Sequence, residues 1–308
     1  MDEPDIDRWA SWLLHRRDGD DPEQRARALE YLLPIRNRVL DNAQIRSGDV
    51  LLDVGAGDGL IAFGALERVG TEGHVIASDV SSDLVEISRA IAADAADVDR
   101  MSFVAAGAAN LEPIATESVD VVTTRSVLIY VDDKEAAFRA FHRVLRPGGR
   151  VSIFEPINSY FPDDTSEFWG FDATAVRDLV EKIWAAEGWT DDFNRNDPMM
   201  NFTEKDLVRM AEQAGFEEIH AELRVDVAPG SWVVDWDRLM GTSPNPNAHT
   251  VGESIAEALS SSEAARFEGH LRPLVDTGRA IRRDASTYLT AVKPERSRDK
   301  DEPSFAEP

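Results

Sequence analysis

The sequence predicts an α/β protein: a doubly wound, mostly parallel sheet of seven strands, with helices added at the N-terminus and in two insertions. Three observations predict it. Short apolar runs alternate with helical segments from residue 49 to residue 156. A turn with three glycines, VGAGDG at 54–59, follows the first run, and an acid, Asp79, ends the second. Strand–helix alternation needs right-handed crossovers, and therefore strands that run the same way.

Residues 5–46 read as helical, with Trp9, Trp12 and Leu13, then Leu29, Leu32, Leu33, Ile35 and Leu40, supplying apolar faces. RSGD at 46–49 is the turn that ends this segment, 1–48. VLLDV at 50–54 is a strand, LIAFGALERVG at 60–70 a helix closed by Gly70, and HVIASDV at 74–80 a second strand. SSDLVEISRAIA at 81–92 places Leu84, Ile87 and Ile91 at helical spacing. MSFVAA at 101–106 and SVDVVTT at 118–124 are strands three and four. A helix from about 132 to 145 is capped by Asp132, with Glu135 three residues on and Phe138, Phe141, Val144 and Leu145 as its buried stripe. RPGG at 146–149 stops it before strand five, RVSIFEP at 150–156.

The alternation then pauses. Residues 157–202 are rich in aromatics (Tyr160, Phe161, Phe168, Trp169, Phe171, Trp184, Trp189, Phe193), with one helical stretch near 174–186. This insertion leaves directly from the carboxyl end of strand five, which predicts a lid. The core resumes at 203–229: Thr203 and Asp206 pair at the start of a helix ended by Gly215, and EEIHAELRVDV at 217–227 is strand six. A second helical insertion, 230–283, includes the Pro/Asn-rich TSPNPNAH. Within 284–294, ASTYLTAVK (285–293) is the last strand, antiparallel and beside the sixth. The tail, 295–308, has no apolar periodicity and is expected to be disordered.

Composition narrows the function. The 308 residues are 43% hydrophobic, enough to bury a full core, yet no stretch approaches a membrane span. The start, MDEPDIDRW, is acidic where a signal peptide is basic and then apolar, so a cytoplasmic protein is expected. Absence of cysteine excludes disulfides, thiolate metal sites and cysteine nucleophiles. The net charge of −25 repels phosphate backbones and anionic lipid, so neither nucleic acid nor membrane is an expected partner. The same charge also serves solubility or life at high salt. The six histidines show no metal-like spacing, and no metal is expected.

The glycines point to a ligand. In a doubly wound sheet, ligands sit at the carboxyl ends of the strands where strand order reverses. Gly55 and Gly57 let backbone N–H groups approach a ligand, and Gly59 lets the helix start tightly against the sheet. Asp79, 24 residues after Gly55, is placed to accept hydrogen bonds from both hydroxyls of a ribose. Spacing then separates the cofactors. A dinucleotide fingerprint wants glycine at 60, where Leu60 stands, and Asp53 before the turn suits an ammonium better than a pyrophosphate. S-Adenosylmethionine meets both demands.

LLDVGAGDG, VIASDVS, VDVVTTRSVLIYV and RVLRPGGRVSIFEP resemble, in order and spacing, successive motifs of the class I S-adenosylmethionine-dependent methyltransferases. The branch most resembled methylates small molecules and includes the quinone-biosynthesis enzymes. The resemblance covers about 49–156 and 203–227 and implies a Rossmann-like core. It implies that Asp53, Gly55, Ala56 and Gly57 meet the methionine end of the cofactor, that Asp79 takes the ribose, and that Val80 lies against the adenine. The family commonly has an acid after strand three that contacts the adenine amino group. Here Ala108 stands at that place, leaving the backbone at Ala109 or the side chain of Asn110 to replace it. Arg125 and Ser126, just past strand four, would lie beside the sulfonium and the acceptor.

The implied reaction is in-line displacement: an acceptor nucleophile attacks the methyl group and S-adenosylhomocysteine leaves, so positioning and exclusion of water supply much of the catalysis. No residue is an evident general base; the candidates are Arg125, Tyr130 and His249. Glu155 reads as a structural corner, and His142 and His220 as structural. TTRS replaces the NPPY-type motif of amino-group methylation after strand four, and the missing cysteines argue against thiol-dependent arsenite enzymes. A small molecule methylated at oxygen or carbon is the expected acceptor. The alternatives are a nicotinamide-dependent oxidoreductase and a non-catalytic S-adenosylmethionine-binding protein.

Overall fold

A computed structural model describes residues 6–17, 21–95, 97–161, 164–188, 196–230, 233 and 235–296. Trp189, Phe193 and most of the tail expected to be disordered lie outside the described residues.

Seven strands form one sheet: β1 (Val50–Val54), β2 (His74–Asp79), β3 (Met101–Ala105), β4 (Val119–Arg125), β5 (Leu145–Pro156), β6 (Glu217–Pro229) and β7 (Ile281–Val292). Their order is β3-β2-β1-β4-β5-β7-β6. The first five are parallel, and β7 runs antiparallel to both neighbours, with Phe154 opposite Tyr288 and Val225 opposite Ala285. The last strand therefore lies beside the sixth, as expected, and also separates it from the fifth. Strand order reverses between β1 and β4, which opens the crevice at their carboxyl ends.

Each core strand is apolar on both faces because helices cover both. Leu52, Val54, Val122 and Ile153 pack with Phe138 and Phe141 of α5 (Lys134–Val144) and Leu207 of α7 (Glu204–Gln213). Leu51, Val75 and Val121 face Val39 and Leu40 of α2 (Pro22–Asn42) and Ile61, Ala65 and Leu66 of α3 (Leu60–Val69). Neighbouring Leu51 and Leu52 thus serve opposite layers, the period-two alternation of a strand. Helix α4 (Ser82–Asp94) begins with Ser81 Oγ accepting from the Leu84 N–H at 3.0 Å.

Two boundaries differ from expectation. Asp133, not Asp132, caps α5, accepting from the Ala136 N–H at 2.7 Å. Both aspartates offer a cap; backbone turning after the Leu128–Tyr130 3₁₀ turn puts the second in place. Strand β5 begins at Leu145 rather than 150: Gly148 at φ 76° lets the RPGG segment stay on the sheet across a register shift between Val119 and Val121.

The two insertions form one body. Phe168 and Phe171 of a short hairpin and Leu179 and Ile183 of α6 (Arg177–Ala186) share a core with the second insertion. There they meet Trp236 and Leu239 of α8 (Trp236–Gly241), Val251 and Ile255 of α9 (Val251–Ala258), and Phe267 and Leu271 of α10 (Ser261–Asp276). At the N-terminus, α1 (Arg8–Ser11) runs into a π-helical turn, Trp12–Arg16. Among the described residues, no helix is long and apolar enough to cross a membrane.

Candidate active site

A cleft of ≈ 260 Å³ lies at the carboxyl ends of β1, β2 and β4. Its floor is the glycine turn. Gly55 has φ 69°, and a Cβ there would lie 2.2 Å from Val127 Cγ2. Gly57, at φ 57°, donates its N–H to Asp79 Oδ2 at 2.9 Å while its carbonyl accepts from Ser88 Oγ at 3.1 Å. Left-handed backbone and close contact thus both demand glycine.

Asp79 is buried, and its second oxygen accepts from the Ser81 N–H at 2.9 Å. The acid therefore ties the end of β2 to the glycine turn. Each carboxylate oxygen keeps a further lone pair for a ligand hydroxyl. Burial raises its pKa against these two bonds.

Asp53 sits behind the turn, 1% exposed. Oδ1 accepts from Thr123 Oγ1 at 2.9 Å, and Oδ2 has no partner. Burial pushes its pKa up to about 7. A buried carboxylate oxygen left unsatisfied is costly, and a nearby cation would relieve it.

Ser126 leaves β4 at φ 55°, turning the chain so that three N–H groups converge on Glu155. Oε1 accepts from Val127 and Leu128, each at 2.9 Å, and Oε2 from Ile129 at 3.2 Å. Glu155 is fully buried, which raises its pKa to about 7 although these bonds oppose the rise. It is the structural corner expected of it. Arg125 lies half-buried on the cleft wall, and its one hydrogen bond among the described residues is a 3.4 Å contact to Ser126 Oγ.

The remaining wall is aromatic. Tyr130 meets Trp9 edge-on with centroids 5.2 Å apart, and Trp12 at 6.4 Å. Burial and the charge of Glu155 hold the Tyr130 hydroxyl well above its usual range, so it is a donor and not a ready base. Trp9, Trp12 and Leu13 come from the N-terminal segment, which is tied across the mouth. The Asp7 N–H donates to Asp83 Oδ2 at 2.7 Å, Trp12 Nε1 donates to the Ser243 carbonyl at 3.0 Å, and Arg16 pairs with Glu253 at 2.5 Å.

Of the residues singled out in the sequence, Gly55, Ala56, Gly57, Asp79, Val80, Ala108, Ala109, Arg125, Ser126 and Tyr130 line this cleft together. Three do not. Asp53 is one layer behind it. Gly59 caps α3 and abuts Phe63, which makes it a packing glycine. His249 lines a separate small cavity with Trp184 and stands 3.2 Å from Glu257 and 3.7 Å from Glu187. It is no partner of the cleft. Asn110 turns away, its Oδ1 accepting from the Glu112 N–H at 3.2 Å, while Ala109 lines the cleft. Among the described residues, none from 157–202 lines the cleft; the N-terminal segment covers it instead of the aromatic insertion. His142 packs edge-on against Phe216 at 5.2 Å, and His220 borders a polar groove with Arg150 at the opposite end of the sheet. No group of histidines and acids among the described residues could hold a metal ion.

Trp9 and Trp12 were the unforeseen part of the site. They stand three apart in WASW, so they share a helix face, but nothing in that spacing says which surface the face covers.

Comparison with known proteins addresses the family and the fold. A model of the methyltransferase domain family matches residues 52–153. The ubiquinone/menaquinone biosynthesis C-methyltransferase UbiE of Xylella fastidiosa is 30% identical over 179 residues, covering 57% of this chain and 68% of that protein. An arsenite methyltransferase of Halobacterium salinarum is 31% identical over 200 residues, covering 63% of this chain but only 44% of that one. In fold, the chain superposes on YcgJ of Bacillus subtilis with a TM-score of 0.52 at 16% identity, covering 84% of this chain and 98% of that one. Phosphoethanolamine N-methyltransferase 2 of Haemonchus contortus, solved with S-adenosyl-L-methionine, gives 0.52 at 15% identity over 93% of this chain and 56% of that one. The chain belongs to the class I S-adenosylmethionine-dependent methyltransferases. It is an enzyme, and its cofactor is S-adenosylmethionine.

The residues present fit that cofactor. An unsatisfied buried carboxylate oxygen at Asp53 waits behind the turn for a cation, the glycine turn leaves no Cβ in the way, and Val80, Ala106 and Ala108 give an apolar seat for a base.

Proposed function

We propose that the chain methylates oxygen or carbon of a small, flat, largely apolar acceptor bound between the glycine turn and the aromatic wall. One observation carries this reading: the turn, Asp79 and three aromatic rings line a single cleft. In it, Asp79 accepts from the ribose hydroxyls, Gly55–Gly57 and Asp53 hold the methionine end, and Val80, Ala108 and Ala109 border the adenine. Arg125 and Ser126 stand beside the reacting centre. S-Adenosylmethionine supplies an already activated methyl group. The protein's own part is to align the acceptor and keep water out, which Trp9, Trp12 and Tyr130 do.

Neither Tyr130 nor Glu155 is poised to take a proton. Tyr130 holds its own, and Glu155 is committed to three N–H groups. An acceptor that reaches the cleft as an enolate or phenolate, its proton already given to solvent, needs no base there: its oxygen or carbon bonds the methyl group as the methyl–sulfur bond breaks and S-adenosylhomocysteine leaves. The names of the quinone-biosynthesis relatives agree with such an acceptor. An arsenic acceptor does not fit, because the chain has no cysteine to hold a soft ion. The acidic surface speaks against nucleic acid.

Calorimetry tests the site. The wild-type protein is expected to bind S-adenosylhomocysteine, and Asp79→Ala to lose that binding by at least about 100-fold while still unfolding cooperatively. Unchanged affinity in Asp79→Ala sinks the assignment. Methyl-labelled cofactor incubated with extract metabolites then identifies the acceptor.

A further inference from the structure

Arg125 stands on the cleft wall with no carboxylate in contact with its guanidinium among the described residues, although Asp58, Asp53 and Glu155 act on it from further off. Its guanidinium makes one 3.4 Å contact, to Ser126 Oγ, and pairs with no carboxylate among the described residues. Other arginines of this acidic chain find acids: Arg146 reaches Asp120 at 2.5 Å, and Arg238 reaches Asp21 at 2.5 Å. Arg143, also half-buried and without an acid, instead gives its N–H groups to the carbonyls of Leu111 and Ile114, whereas Arg125 has neither an acid nor a carbonyl in hydrogen-bond contact among the described residues. Burial and the positive charge of Arg17 both act to lower its pKa. Arg17 lies over the Trp12 ring, 5.9 Å from its centroid.

The cleft is therefore electrically divided. Asp53, Asp58 and Asp79 stand on the side of the glycine turn, where a cationic methionine end belongs. Arg125 and Arg17 stand on the side next to Trp12 and Tyr130, where the one buried acid, Glu155, is taken up by three backbone N–H groups. We propose that Arg125 selects an acceptor bearing a carboxylate, gripping that group while the acceptor's apolar body lies against Trp9, Trp12 and Tyr130; this rests on the methyl-transfer reading of the cleft. A guanidinium presents two parallel N–H groups to a carboxylate, and in a site sheltered from water such a pair is strong as well as directional.

The test uses the full chain saturated with S-adenosylhomocysteine, with tryptophan fluorescence reporting on Trp9 and Trp12. The probes are benzoate, phenylacetate and indoleacetate, each against its neutral amide of the same shape. At least one acid is expected to bind at least about tenfold more tightly than its amide. Arg125→Gln should erase that preference and Arg125→Lys should keep part of it, each measured at saturating S-adenosylhomocysteine after its own affinity for that ligand has been determined. Absence of any acid preference in all three pairs, including absence of binding, overturns the proposal. So does a preference that survives in Arg125→Gln. A fall of more than about tenfold in S-adenosylhomocysteine affinity in Arg125→Gln assigns the guanidinium to the cofactor's own carboxylate and overturns it too. Failure of the wild type to bind S-adenosylhomocysteine would instead refute the methyl-transfer reading, and would be seen first.

Discussion

Asp53 carries a charge problem that the fold leaves to its ligand. Its unpartnered Oδ2 and its pKa near 7 mean that the folded protein keeps a proton there which the unfolded chain gives up near pH 4. The native state thus binds more protons between these values, and stability from this group is lost as pH rises from about 4 to about 7. Glu155, raised to about 7 in the same way, adds to the same slope. Asp53→Asn should flatten the fall in melting temperature between about pH 4 and about pH 7, and an unchanged slope would place the proton elsewhere. A cofactor ammonium near Asp53 favours its charged form, so binding near neutral pH should release a proton. That appears as a binding enthalpy that varies with the ionisation enthalpy of the buffer. The sequence already marked Asp53, Asp79 and the glycines, because each answers to a local demand that spacing exposes. The pairing of Asp79 with the Gly57 N–H was not visible there, since it needs two strand ends brought side by side.

Among the elements, α5 shows how far local rules reach. Its buried stripe of Phe138, Phe141 and Val144 was readable from spacing, and these residues are fully buried. Its first residue was not, because Asp132 and Asp133 offer the same chemistry and only the preceding turn chooses between them. Asp133→Ala should therefore cost about 1 kcal/mol in denaturant unfolding, and Asp132→Ala close to nothing. The N-terminal segment escaped for another reason. Its anchors reach from Asp7 to Asp83 and from Trp12 to Ser243, contacts that no local pattern encodes. An aromatic-rich insertion after β5 was the natural guess for a lid, yet its rings were needed for a core of their own.

At the scale of the whole molecule, that core joins segments some 100 residues apart in sequence, Phe168 and Phe267, whose rings meet edge-on at 5.2 Å. Removing Phe267, which is fully buried, should loosen both insertions together. Phe267→Ala is expected to cost about 3–5 kcal/mol, with faster hydrogen exchange in α6 as well as in α9 and α10. Faster exchange in α10 alone would show two independent bodies. The order of the sheet has a consequence for how the protein is made. Because β7 lies between β5 and β6, β6 has nothing to pair with until β7 has been synthesised. A ribosome delivers residues 217–229 well before 281–292, and in that interval β5 and β6 both present bare edges. Chains stopped short of residue 281 should accordingly gather in the insoluble fraction, while chains stopped just after 292 stay in solution.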